Sequence, residues 1–373
     1  MGQKMDSFDL MELKKIVEIN SWTKNKDGVD KNGKIFKDWL GELGFSVDIY
    51  RRENIGDHLH FKSKRADGKK VLLLGHLDTV FPPGKFEEFR EDDKWIYGPG
   101  VCDMKGGNYV ALVALRELYK EFNEIYNIDF LLVSDEETGS DDSKEITLKL
   151  ARDYDYCLVF EAAGKNDEVV IGRKGVGTFF LDIKGKAAHA GNSYSDGADA
   201  NLEASYKLQR LVALTNLKEG TTLNVGKISG GIGANTISPE AHLTFELRYT
   251  NITQRDKVLS EIENIVKNST VKGTISSLSG GIQRDVMEPN SKQAQFIKEI
   301  NRVCKVELLT ESRGGVSDAN LVASCGVVTL DGFGPFGDGD HTINERASKE
   351  SLIKRIKLTH KVLKAILNKE ISI

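Results

Sequence analysis

Three hydrophobic patterns divide the chain. The first is the short apolar run. Val71-Leu72-Leu73-Leu74 stops at Gly75-His76-Leu77-Asp78, the pattern of a strand buried on both faces in a mainly parallel sheet. Strands over Ile128–Ser134 and Cys157–Phe160 resemble it, and shorter ones are expected at Ser46–Tyr50 and around His58–Phe61. The second pattern is helical. It runs from Leu10 to Phe45 and again from Asn108 to Phe122, where Tyr109, Leu112, Val113, Leu115 and Leu118 form one stripe. The third is alternation, at Thr178–Lys184, Thr222–Ile228 and Ala241–Tyr249, with helical periods at Asn201–Leu214 and Gln254–Lys267 between. From about Asn290 the first two patterns return, as a helix Gln293–Val303, a strand Val327–Leu330 and a helix Lys349–Leu367. The expected fold class is α/β. A mainly parallel-sheet domain, residues 1–175 and 287–373, is interrupted near 176–286 by a smaller α+β domain with two helices on an antiparallel sheet.

Composition narrows the classes of function. A chain of 373 residues with 39% hydrophobic and 29% charged positions reads as a two-domain globular protein. A net charge of -4 without a basic stripe argues against nucleic acid as a partner. No apolar stretch reaches the roughly 20 residues that span a bilayer, and Met1–Asp6 leads into no apolar signal core. Gly2 lacks the Ser or Thr at position six of a myristoylation signal. Cys102, Cys157, Cys304 and Cys325 are far apart in sequence, which suits unbridged thiols in the cytoplasm.

The chemistry gathers at strand ends and in glycine-rich loops. His76 and Asp78 follow the first apolar run; Asp103 lies in Gly98–Gly107, Glu136 and Glu137 follow Ser134, and Glu161 follows Phe160. His341 follows the loop Gly332–Asp340. His76, Asp103, Glu137, Glu161 and His341 offer two imidazoles and three carboxylates, a donor set for zinc or a similar divalent metal. With one carboxylate bridging, the set suffices for two metals roughly 3.5–4 Å apart. Of two adjacent glutamates after a strand, one can ligate while Glu136 takes a proton from water. Each residue has an ordinary alternative: a solvated loop for Glu136-Glu137, a helix N-cap for Asp103, a loop histidine for His341. Their joint placement at strand ends favours the metal centre. His58-x-His60 reads as a surface pair, and Gly230–Ala234 as a turn with no phosphate to bind.

Gly75–Phe81, Gly98–Gly107, Asp135-Glu136-Glu137-Thr138-Gly139-Ser140 and Ala188-His189-Ala190-Gly191 together resemble the co-catalytic zinc metallopeptidases. That family includes the glutamate carboxypeptidases and the acetylornithine and succinyl-diaminopimelate deacylases, and the bacterial glutamate carboxypeptidases are the nearest in type. The resemblance implies that His76 and Glu161 hold one zinc, Glu137 and His341 the other, and Asp103 bridges them. It makes Asp78 the orienter of His76 and Glu136 the base, and places a cis peptide at Asp103-Met104. It reads 176–286 as a dimerisation or lid domain, from which His189 stabilises the oxyanion in the partner's active site. Asn235, Arg248, and the loop containing Gly315 and Ser317 would bind substrate, Arg248 by clamping a free carboxylate. Val316-Ser317 stands where a glycine and threonine are usual.

The resulting expectation is a homodimeric metallopeptidase with two divalent ions, Zn2+ or else Co2+ or Mn2+. It cleaves an amide next to a free carboxylate in a small peptide or N-acyl amino acid, with C-terminal glutamate as the leading case. The rivals are an N-acyl amino acid deacylase or dipeptidase on the same fold and, more remotely, a catalytically silent binding protein.

Overall fold

Val71–His76 and Ile128–Val133 are buried at every position, so both faces of their sheet are covered and their apolar runs need not alternate. The computed structural model describes residues 9–371 and 373; the reading of Met1–Asp6 falls outside them. The six-stranded sheet has the order Ser46–Tyr50, His58–Lys62, Ile128–Val133, Val71–His76, Tyr156–Val159, Val328–Leu330. The last four strands pair in parallel and the first two pair antiparallel at one edge. Helix Lys105–Phe122 packs on helices Leu10–Val17 and Lys349–Leu367. Each fully buried Leu or Val in these strands contributes roughly 1.5–3 kcal/mol.

Two compact units result. One comprises residues 1–172, 289–313 and 317–373, the other 173–288 with 314–316. Gly314–Val316 therefore group with the inserted unit, where Arg248 Nη1 donates to the Gly314 carbonyl at 3.0 Å and Arg173 Nη1 to the Gly315 carbonyl at 3.2 Å. The inserted unit is an antiparallel sheet in the order Thr222–Gly230, Glu240–Tyr249, Gly175–Lys184, Ile275–Arg284. Helices Ala200–Val212 and Ile252–Lys267 share its core with Leu181, Leu243 and Phe245.

Two expectations need correction. The helical stretch from Leu10 to Phe45 is two helices, Leu10–Val17 and Lys26–Gly41. The segment between them bonds to the backbone of Thr79: Thr23 N–H donates to the Thr79 carbonyl and Thr79 N–H to that of Ser21. His58 and His60 are buried, not a surface pair, because their strand lies inside the sheet. His58 Nδ1 accepts from Ser134 N–H at 3.1 Å while Nε2 faces Asp142 at 2.9 Å, and His60 Nε2 meets the Tyr154 hydroxyl.

Candidate metal centre

Sheet register brings the strand-end residues together. His76 lies opposite Val133 and Leu74 opposite Val159, so two residues past the latter pair Glu161 comes abreast of His76. Glu136 and Glu137 open the single turn Glu136–Thr138 just beyond Val133. This is the carboxyl edge of the parallel strands, where open α/β sheets place their sites. Gly75 is required here, since a Cβ would stand 2.0 Å from Asn108 Oδ1. Its absence lets Asn108 Nδ2 donate to the His76 carbonyl at 2.6 Å.

Asp103 occupies the middle. Its Oδ1 is 3.1 Å from His76 Nε2 and its Oδ2 is 3.2 Å from His341 Nε2. His341 Nε2 is also 3.2 Å from Glu137 Oε2, and Glu161 Oε1 is 3.9 Å from His76 Nε2. Two groups of donor atoms lie within 4.8 Å of one another: His76, Glu136 and Glu161, and His76, Asp103 and Glu137. The Asp103-Met104 peptide is cis.

Charge and proton placement fit divalent cations. His76 Nδ1 is 3.0 Å from the Asp78 carbonyl and 3.4 Å from that residue's Oδ1. Donating through Nδ1 turns the Nε2 lone pair toward an Asp103 oxygen, a repulsive meeting that a proton or a cation relieves. Without a cation the proton does so: burial works against a charged His76, but hydrogen bonds to Asp103 and Asp78 outweigh it and hold the imidazole well above its ordinary range. Hydrogen bonds to Asp103 and Glu137 raise His341 to about 11. Burial, followed by the Asp103 charge, pushes Glu137 up to about 8, and the same two causes raise Glu161. Asp103 is held well below the carboxylate range, because hydrogen bonds to His341 and His76 overcome its burial. Glu137 Oε1 is buried without a hydrogen-bond partner. Five crowded carboxylates with two imidazoles and an orphaned carboxylate oxygen make a donor set short of positive charge.

Residues that the sequence did not single out hold this arrangement. Thr23 donates its hydroxyl to Asp78 Oδ2 at 2.7 Å, and the same oxygen lies 3.3 Å from the Glu137 amide. The Glu345 carboxylate is 1% exposed and accepts the amides of Gly100, Cys102 and Asp103. Burial pushes it up to about 8 against those three bonds. The spacing His341-x-x-x-Glu345 was the available signal for it.

The expected substrate residues have mixed surroundings. In the inserted unit, His189 and Asn235 lie on adjoining loops: His189 bridges Thr236, and Ala190 N–H donates to the Asn235 carbonyl at 2.9 Å. His189 Nδ1 accepts from the amides of Gly191 and Asn192, both at 3.1 Å, so its proton belongs on Nε2. Arg248 is not a free clamp. Its Nε and Nη2 meet Glu246 at 2.7 and 3.2 Å, and with the Gly314 bond this leaves one hydrogen on each terminal nitrogen. The Gly315 carbonyl accepts from Arg173 Nη1 at 3.2 Å. Ser317, in the first unit, is 1% exposed; its hydroxyl donates to Asp331 at 2.8 Å and accepts from Ala319 N–H. It braces its loop, because both hydrogen-bonding directions of the hydroxyl are already used.

The sequence model of peptidase family M20/M25/M40 matches residues 72–365. The chain is 30% identical over 347 residues to carboxypeptidase G2 of Pseudomonas sp. (strain RS-16), covering 88% of this chain and 82% of that protein. It is 27% identical over 394 residues to succinyl-diaminopimelate desuccinylase of Rickettsia akari (strain Hartford), covering 95% and 99%. Its fold is like that of a tripeptidase from Staphylococcus aureus, with a TM-score of 0.79, 24% identity, and coverage of 96% and 98%. The cluster of imidazoles and carboxylates and these likenesses agree: the chain is a metal-dependent hydrolase belonging to peptidase family M20/M25/M40.

Proposed function

We propose that this hydrolase carries two zinc ions and cleaves an amide bond adjacent to a free carboxylate, releasing C-terminal glutamate or a similar amino acid. The observation that carries the reading is Asp103, with one oxygen toward each histidine at 3.1 and 3.2 Å. His76 and Glu161 would hold one ion, Glu137 and His341 the other, and Asp103 both. When bound, the ions supply a lowered water pKa and polarise the scissile carbonyl. Glu136, whose carboxylate lies among His76 and Glu161, takes the proton of the attacking water and returns it to the leaving amine. Asp78 keeps His76 in the tautomer that directs Nε2 inward.

His189 presents Nε2–H as a donor for the developing oxyanion, acting in the site of a second copy. A homodimer through 176–286 is supported by the inserted unit itself. Its edge strand Thr222–Gly230 exposes Ile228, and helix Ala200–Val212 exposes Leu202 and Tyr206. Asn235 and Arg248, through its two remaining hydrogens, would bind substrate. Four free cysteines suit a cytoplasmic setting.

A second reading, an N-acyl amino acid deacylase, draws on the engagement of Arg248 by Glu246, which weakens its hold on a substrate carboxylate. Chelation followed by zinc re-addition, assayed on N-acyl and peptidyl glutamates beside N-acetyl and N-succinyl diamino acids, tests both. Loss and recovery on the glutamates supports the carboxypeptidase; recovery on the others alone supports the deacylase; no metal dependence on any refutes both.

A further inference from the structure

Asp103 and His341 sit on separate loops, and one small sheet joins them. Gly337–Asp338 and Arg346–Ser348 form an antiparallel hairpin with His341 in its connection. Arg346–Ser348 also pairs with Trp95–Tyr97, which leads directly into the loop carrying Asp103. Glu345 stands at the junction. Its Oε1 accepts Cys102 N–H at 2.9 Å and Asp103 N–H at 3.1 Å, and its Oε2 accepts Gly100 N–H at 3.0 Å. Its backbone carbonyl lies 3.4 Å from Gly98 N. Successive inward amides of this kind form a nest that suits an anion, and Gly100 at φ +79° supplies the left-handed residue of the turn. The acceptor is a side-chain carboxyl four residues after His341, so the same short segment presents the imidazole and grips the backbone of the facing carboxylate.

We infer that Glu345 is a positioning residue that fixes the distance between Asp103 and His341, and so sets the affinity of the centre for its metals. This rests on the di-metal reading above. Glu345 acts through the amide of Asp103, which its Oε1 accepts at 3.1 Å. A side-chain anchor behind a ligand typically changes metal affinity 10–100-fold.

The test is a competition titration of zinc against a chromogenic chelator, with the whole chain as wild type, Glu345→Gln, Glu345→Asp and Glu345→Ala. The melting temperature of each metal-stripped form and kcat and KM of each loaded form are measured alongside. Glu345→Gln keeps the shape but replaces one acceptor oxygen with a donor facing an amide. The expected result is zinc affinity weakened about 10–100-fold in Glu345→Gln, a lower kcat, little change in KM, and partial rescue in Glu345→Asp. Glu203→Gln is the control. Glu203 is buried in the inserted unit, where it accepts the Thr270 and Val271 amides, so its loss should lower the melting temperature and leave zinc affinity alone. If Glu345→Ala does not fold, Glu345→Gln and Glu345→Asp decide. Wild-type zinc affinity and kcat in Glu345→Gln overturn the inference, as does a fall in stripped-form melting temperature with affinity unchanged. A wild-type chain that binds no zinc overturns the di-metal reading, and this inference with it.

Discussion

His76 and His341 approach the same carboxylate at 3.1 and 3.2 Å, yet their surroundings have little in common. The side chain of His76 is 1% exposed; that of His341 is 58% exposed. His76 ends a fully buried strand, and Asn108 holds its carbonyl while Asp78 receives its Nδ1. His341 sits in a hairpin connection with a left-handed backbone, φ +62°. Its support is indirect: Glu345 grips the neighbouring loop, Arg346 pairs with Asp338 at 2.7 and 2.9 Å, and the Arg346 guanidinium lies 4.1 Å over Trp95. One imidazole is placed by the core and the other by polar bonds near solvent. Core placement resists change but makes substitution expensive; loop placement is cheap to alter and depends on its clips.

The largest break in this comparison comes from removing each imidazole. His76→Ala should lose both metals and lower the stability of the metal-stripped protein by roughly 2–5 kcal/mol, since it leaves a cavity beside buried carboxylates. His341→Ala should weaken metal binding and abolish turnover while the stripped form loses less stability than in His76→Ala, because the His341 side chain is exposed and solvent screens its bonds to Asp103 and Glu137. Metal analysis with denaturant melts of both variants checks this. Equal stability losses would erase the distinction.

A pH series sharpens the comparison. In the metal-free protein Glu137 is raised to about 8 and His341 to about 11, so the folded chain binds more protons than the unfolded one above the ordinary carboxylate and imidazole ranges. Stability then falls as pH rises. The contribution of His341 is whole below about 6.5 and is lost as pH climbs toward its folded value. Between pH 6 and 9 the stripped protein should lose melting temperature, and the zinc-loaded protein should lose much less, because binding replaces those protons. Calorimetry at matched ionic strength reads both; a stripped protein that gains stability over this interval contradicts the assignment.

The smallest effect belongs to Thr23. Thr23→Val removes the 2.7 Å bond to Asp78 and leaves the backbone path intact. Zinc affinity should fall about tenfold, the low end for such supports, with the fold unchanged by circular dichroism. No change in affinity would show that the Glu137 amide alone suffices for Asp78.

The same contrast governs what could be read from the sequence. His76, Glu161 and the Glu136-Glu137 pair were legible because apolar runs announce buried strands and parallel register aligns their ends. The supports were not. Thr23 lay inside a stretch whose helical period continues across the break at residues 18–25. Glu345 belongs to a hairpin with no apolar pattern. The strand Ile275–Arg284 went unread because Ser and Gly fill an exposed edge position of the sheet, where alternation is not enforced. His58 and His60 look like surface residues because two polar positions on one strand face normally are; here both are buried, His58 between the Ser134 amide and Asp142 and His60 against the Tyr154 hydroxyl. Arg248 and Ser317 illustrate the converse, since neither sequence position reveals that Glu246 and Asp331 already occupy these side chains.

The most direct test of the central claim is metal content per chain together with turnover, in wild type and in Glu136→Gln. The account predicts two metal ions in both proteins, with kcat reduced about 10²–10⁴-fold in the variant. A Glu136→Gln protein that loses metal, or one that keeps both ions and full activity, would contradict it.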